Sequence, residues 1–264
     1  MNTQVKGKAL ITGASSGIGE VYAERLADRG YDLVLVARRL DRLEALARKI
    51  AGRTGRKVEV LQADLGDRAG IAAVERRLAE DAAVALFVNN AGISLEGSIL
   101  ENGSEQIEQL ITVNTLAPTL LAAAAAKAFV ARNNGGIVNI ASVLALVPEM
   151  MDGLYSGTKA HLINVTLGLA AKLQGTNVRA QAVLPGATRS EIWEKSGKDV
   201  DALLPGMVME TADLVDAALV GYDRGEVITI PPLEDDGQFK AYDAARLAMA
   251  PNLSRKDVAP RYRA

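Results

Sequence analysis

Tyr155 and Lys159 stand four residues apart in Tyr155-Ser156-Gly157-Thr158-Lys159, where an apolar pattern of helical spacing begins. Both side chains therefore leave one helix face, one turn apart. A phenol, with a reference pKa of about 10, is a poor acid or base near neutrality, and a neighbouring ammonium lowers that pKa by favouring the phenolate. Such a pair can move a proton to or from one ligand. Ser142 directly follows residues 137–141, an apolar run that reads as a strand, so its hydroxyl is expected at the carboxyl edge of a sheet. There it can hold a carbonyl oxygen beside Tyr155. A third feature is Thr12-Gly13-Ala14-Ser15-Ser16-Gly17-Ile18-Gly19, which joins the first strand to the first helix. Glycines at 13, 17 and 19 permit a tight turn, close approach to a pyrophosphate and close helix packing, and the helix start offers free N–H groups to the anion. The spacing is G-x-x-x-G-x-G.

Two further positions bear on this chemistry. Dinucleotide sites that select NAD carry an acidic residue at the end of the second strand. Here that place holds Ala37, followed by Arg38 and Arg39. Arg38, immediately after Ala37, is assigned to a 2′-phosphate, with Arg39 as the alternative, and NADP(H) is expected over NAD. Pro118 lacks an N–H, so in a continuous helix the carbonyl of Asn114 loses its partner and the helix kinks. His161, two residues beyond Lys159 and so about 200° around the helix, is given no catalytic role.

These residues need elements to hold them. Apolar runs at 9–12, 33–37, 58–63, 84–88, 137–141, 178–184 and 227–230 read as seven strands. Between them, residues 18–29, 41–51, 68–80, 104–131, 155–173 and 211–224 carry i, i+3, i+4 apolar spacing. The alternation predicts an α/β fold: one Rossmann-type, doubly wound domain with a seven-stranded parallel sheet and helices on both faces. Residues 189–210, with Trp193, Leu203, Leu204, Met207 and Met209, break the pattern and are a candidate substrate lid, and residues 235–264 are a polar tail. The apolar stretch 116–130 is shorter than a membrane span and interrupted by Pro118 and Lys127, so it reads as a buried helix.

Composition narrows the function. The 264 residues are 49% hydrophobic and 23% charged, with 30 basic and 32 acidic side chains, which leaves no basic surplus for nucleic acid or an anionic membrane. A small-molecule ligand is expected. With no cysteine and one histidine, Cys-ligated metal, disulfides and a thiol nucleophile are excluded, and no metal site is expected. Residues 1–7 are polar and too short for a signal peptide ahead of the first strand, so a cytoplasmic location is expected.

The turn at 12–19, Asn89-Asn90-Ala91-Gly92 after the fourth strand, Asn114, Ser142, Tyr155-x-x-x-Lys159 and Pro185-Gly186 after the sixth occur in that order. In these the chain resembles the short-chain dehydrogenase/reductase family, over about residues 5–230. The resemblance implies that Ser142 orients a substrate carbonyl, Tyr155 exchanges the proton, and Lys159 binds the nicotinamide ribose while tuning Tyr155. It implies that the Asn114 backbone helps hold a water linking Lys159 to solvent; the Pro118 kink would free that carbonyl, or serve packing alone. The implied cofactor set is Gly13, Ser15, Ser16, Gly17, Ile18, Gly19, Arg38, Asp64, Leu65, Asn90, Ala91, Gly92, Tyr155, Lys159, Pro185, Gly186, Thr188 and Ser190. Asn89 would brace the sheet and Asp64 would meet the adenine amino group. Thr188 and Ser190 stand where Val and Thr are commoner in the family, so their individual contacts stay open.

The expected function is NADP(H)-dependent interconversion of a ketone or aldehyde and an alcohol, in a homodimer or homotetramer. Two alternatives are an epimerase or dehydratase that starts by hydride abstraction, and a nucleotide-sensing protein without catalysis. The absence of a large C-terminal substrate domain disfavours the first. The complete set Asn114, Ser142, Tyr155 and Lys159 disfavours the second. Leu144, Leu146, Met150, Met151, Trp193, Met207 and Met209 suggest an apolar substrate and disfavour a sugar.

Overall fold

The computed structural model describes residues 6–150, 153–189 and 204–263. Its strands are β1 (Lys8–Thr12), β2 (Asp32–Ala37), β3 (Val58–Gln62), β4 (Val84–Asn89), β5 (Gly135–Ile140), β6 (Val178–Val183) and β7 (Ile228–Thr229). All pair in parallel, in the order β3-β2-β1-β4-β5-β6-β7. Strand order reverses between β1 and β4, and ligands of open α/β sheets bind at the carboxyl ends of strands at such a point.

Both faces of the sheet are covered, which explains the continuous apolar runs. In β2, Leu33 and Leu35 join Tyr22, Leu26, Leu43, Val215 and Leu219 on one side. Val34 and Val36 join Ile71, Val74, Leu121 and Phe129 on the other. The first face is covered by α1 (Gly17–Asp28), α2 (Leu40–Thr54) and α7 (Thr211–Asp223), the second by α3 (Arg68–Glu80) and α5 (Ala117–Arg132). A parallel sheet buried on two sides selects Val, Ile and Leu at nearly every position.

The helix expected over 104–131 is interrupted. It comprises α4 (Ser104–Ile111), a π-helical turn over Thr112–Leu116, and α5. The Ala117 N–H bonds back five residues to Thr112 O rather than four. The extra residue lies directly before Pro118, which cannot donate to Asn114, so a widened turn replaces the simple kink. The whole run, Ser104–Arg132, has the length and mean hydropathy of a membrane span, yet half of its apolar window is buried inside the fold. Ala117, Leu121, Ala122, Ala125 and Phe129 line the core, as in the central helix of an α/β domain.

Helix α6 (Gly153–Lys172) carries Tyr155 and Lys159. At the edge, β7 is two residues rather than the four expected, and pairs through Ile228 with Ala182 and Thr229 with Val183. The chain divides into two compact units, Met1–Pro231 and Pro232–Ala264. The second holds α8 (Asp236–Met249), started by an Asp235 carboxylate that accepts from the Gly237 N–H.

Candidate active site

Two loops at the carboxyl ends of β1 and β4 are laced together. Thr12 Oγ1 accepts from the N–H groups of Asn90 (3.0 Å) and Ala91 (3.2 Å), and Asn90 Nδ2 donates to Thr12 O (2.9 Å) and Gly13 O (3.3 Å). Gly13 has φ +67°, and a Cβ there would stand 2.9 Å from the Ala91 Cα. At Gly19 a Cβ would lie 2.4 Å from Gly13 O. Side chains are thus excluded from the cradle at the start of α1, as close approach of a pyrophosphate requires. These residues fit a dinucleotide. Ile18 is half-buried beside the α1 core. Thr12, to which the sequence reading gave no role, ties the two loops together.

At the end of β2 the structure brings Arg39, not Arg38, to the glycine turn. The Arg39 guanidinium donates to Ser15 Oγ (3.0 Å), Ser15 O (3.5 Å) and Ser16 Oγ (3.0 Å). Arg38 is exposed, and its carbonyl accepts from Gln62 Nε2 (3.0 Å). The residue after a strand end points off the sheet, whereas the next one enters α2 and faces the loop at 15–16. Asp64 is exposed beyond β3 and accepts from the Gly66 N–H (2.8 Å), while Leu65 is buried in the core.

Ser142 follows β5 and caps a short 3-10 turn, Val143–Ala145, by accepting from the Leu144 N–H (3.2 Å). Its hydroxyl acts on the Tyr155 phenol, drawing the phenol's pKa down. Val143 N–H donates to Pro185 O (2.9 Å), which joins this loop to the Pro185-Gly186 turn. Thr188 is buried, donates to Gly186 O (3.0 Å), and bridges to Met209, so residues 187–189 and 209 close the base of the expected lid. Ser190, Trp193 and Leu203 of that lid, and Met151, lie outside the described residues.

Lys159 is buried, and its Nζ donates to Ile140 O (2.9 Å) and lies 5.7 Å from the centre of the Tyr155 ring. Burial pulls its pKa down to about 8, with no carboxylate among the described residues beside it. Burial pushes the Tyr155 phenol up to about 12, and the nearby Ser142 hydroxyl acts in the opposite sense. The phenol therefore stands above its ordinary value rather than below it. Desolvation exceeds any effect of the ammonium, which is itself engaged with Ile140.

Asn114 sits at the centre of the π turn, buried. Its Oδ1 accepts from the Ile93 N–H (2.8 Å) and its Nδ2 donates to Ile93 O (2.8 Å), a two-point clamp on the chain just after Gly92. At Gly92 a Cβ would meet Lys159 Nζ at 3.3 Å and Asn114 Oδ1 at 3.4 Å, so glycine lets the loop pass close to both. Beneath the site, Asn89 Nδ2 donates to Pro118 O and Asn139 Oδ1, each at 2.9 Å. Asn139 in turn donates to Thr166 Oγ1 (2.9 Å), which ties β4, β5 and α6 together.

The sequence matches the short chain dehydrogenase family over residues 7–201. A short-chain dehydrogenase from Sphingobium yanoikuyae, solved in complex with NADPH, is 50% identical with a TM-score of 0.93, over 97% of this chain and 100% of that one. An alcohol dehydrogenase from Comamonas testosteroni, described as bulky-bulky ketone specific, is 40% identical with a TM-score of 0.90, over 98% and 99%. Human 17-beta-hydroxysteroid dehydrogenase type 3 is 34% identical over 181 residues, which are 68% of this chain but 58% of that protein. The chain thus spans less than two thirds of that relative's length. The chain belongs to the short-chain dehydrogenase family of oxidoreductases.

Proposed function

We propose that this protein interconverts bulky, mainly apolar ketones and their secondary alcohols with NADP(H). The observation that carries the reaction is Lys159, buried one turn along α6 with its Nζ 5.7 Å from the Tyr155 ring, beside Ser142 at the sheet edge that holds the glycine cradle. A bound nicotinamide would supply or accept the hydride. Ser142 and Tyr155 would converge on one carbonyl oxygen. In reduction the Tyr155 hydroxyl gives its proton to that oxygen; in oxidation the phenolate takes it back. Lys159 has three donors, one of them on Ile140, which leaves others for ribose hydroxyls. Its charge would offset the phenolate that reduction leaves behind.

Leu144 and Leu146, between Ser142 and the start of α6, are half-buried, and Met150 is exposed, an apolar border that suits a wide hydrophobic ketone. The Comamonas testosteroni relative's description points the same way. The cofactor preference rests on Arg39, held over the Ser15 and Ser16 hydroxyls where a 2′-phosphate would lie, with no carboxylate at Ala37 to repel it. A hydrogen bond to a charged group contributes roughly 1.5–3 kcal/mol, so one guanidinium favours NADPH by about 10- to 150-fold. A homo-oligomer is part of the same reading. Ile111, Leu116 and Val130 are exposed along the α4–α5 run, and the positions of Gly157 and Gly168 on α6 are open on their outer side.

The test is steady-state turnover of a wide aryl ketone with each cofactor. We expect kcat/KM with NADPH to exceed that with NADH by about tenfold or more, and Arg39→Ala to remove most of that difference while Arg38→Ala does less. Higher efficiency with NADH would overturn the cofactor preference. No turnover of any ketone or alcohol with NADPH or NADH would overturn the reaction.

A further inference from the structure

Asn114 has two amide N–H groups, and Ile93 O takes only one of them. The other donates to Thr158 Oγ1 at 3.2 Å. Thr158 is buried on α6, directly before Lys159, and spends its own hydroxyl proton on Tyr155 O at 2.7 Å. One hydroxyl therefore connects the π turn, the chain after Gly92 and the first turn of the helix that carries Tyr155 and Lys159. All of the donors are engaged: both Asn114 amide N–H groups and the Thr158 hydroxyl proton have acceptors. Lys159 Nζ and Asn114 Oδ1 both lie beside Gly92, so a rotation of the Asn114 amide changes the surroundings of the ammonium.

We propose that Thr158 is a positioning residue for the reaction, its hydroxyl setting Asn114 and the Tyr155 turn relative to each other. The proposal rests on the oxidoreductase reading above only for its kinetic consequence. Its geometric content stands on the hydrogen bonds alone. A methyl in place of the hydroxyl keeps the size of the side chain, strands a buried Asn114 N–H and removes the side-chain donor to the Tyr155 carbonyl. Buried groups without partners reorganise to find them, and displacements of about 1 Å in a reacting geometry cost up to about 100-fold in rate.

The test compares Thr158→Val with Thr158→Ser in the full chain. For Thr158→Val we expect kcat to fall about tenfold, with NADPH affinity by fluorescence titration kept within about threefold. Thr158→Ser, which restores the hydroxyl, should recover kcat to within about threefold of the parent. A crystal structure of Thr158→Val should show the Asn114 side chain turned away from Ile93. Wild-type kcat with Asn114 unmoved would overturn the proposal. So would equal impairment of the Val and Ser variants, or equal losses in kcat and NADPH affinity, which mark a general packing defect. If the parent chain turns over no ketone, the reaction reading fails, while the position of Asn114 in Thr158→Val still decides this one.

Discussion

Lys159 is a cation buried to 4% exposure whose pKa falls to about 8 because desolvation penalises its charged form. Between about pH 8 and 10.5 the unfolded chain holds a proton that the folded chain has released, so stability contributed at this position rises with pH across that window. Below it, carrying the charge costs on the order of 3 kcal/mol. Lys159→Met also loses the bond to Ile140, worth about 1 kcal/mol. We therefore expect Lys159→Met to be about 1–2 kcal/mol more stable than the parent at pH 7, with that advantage gone by pH 10.5, as urea melts at the two values would report. An advantage that widens with pH would contradict the assigned burial. The placement of Ser142, Tyr155 and Lys159 was legible in the sequence because it depends on spacing along one helix and one strand end. Thr12 and Thr158 were not, because a threonine hydroxyl acquires meaning only from the loop folded against it. That Arg39 rather than Arg38 reaches Ser15 and Ser16 depends on the direction the chain takes when it leaves β2, which the sequence pattern does not specify.

At the scale of elements, the seven strands and the helices followed from apolar periodicity, since the parallel sheet buries both faces and each helix buries one stripe. The π turn did not. Pro118 announces a break in the helix, but whether the backbone kinks or widens depends on what captures Asn114, and Ile93 lies 21 residues away in sequence. Nor did the length of β7, an edge strand paired on one side only, whose ends no second neighbour fixes. Pro118→Ala supplies an N–H that can reach the Asn114 carbonyl, four residues back. We expect about 1 kcal/mol of added stability in a thermal melt, together with a several-fold lower kcat and a displaced pH–rate profile as the π turn is drawn toward α geometry. An unchanged profile and an unaltered π turn would leave Pro118 a packing feature.

For the whole molecule, the proposed self-association is tested at the exposed apolar residues Ile111, Leu116 and Val130. Leu116, 46% exposed, is the most direct probe because its neighbour Ala117 is fully buried, so a charged side chain at 116 tests the surface without entering the core. Leu116→Lys should shift the species seen by light scattering toward monomer while the melting profile of the fold stays intact. A parent chain that is monomeric at micromolar concentration would contradict the proposed assembly. The proposed reaction centres, however, on one atom, the Tyr155 hydroxyl, on a ring 5.7 Å from Lys159 Nζ. The most direct measurement is single-turnover ketone reduction by Tyr155→Phe with NADPH saturating. We expect a loss of about 10²- to 10⁴-fold in the chemical step with NADPH affinity retained, since the phenol serves the substrate oxygen. Reduction at the parent rate would contradict it.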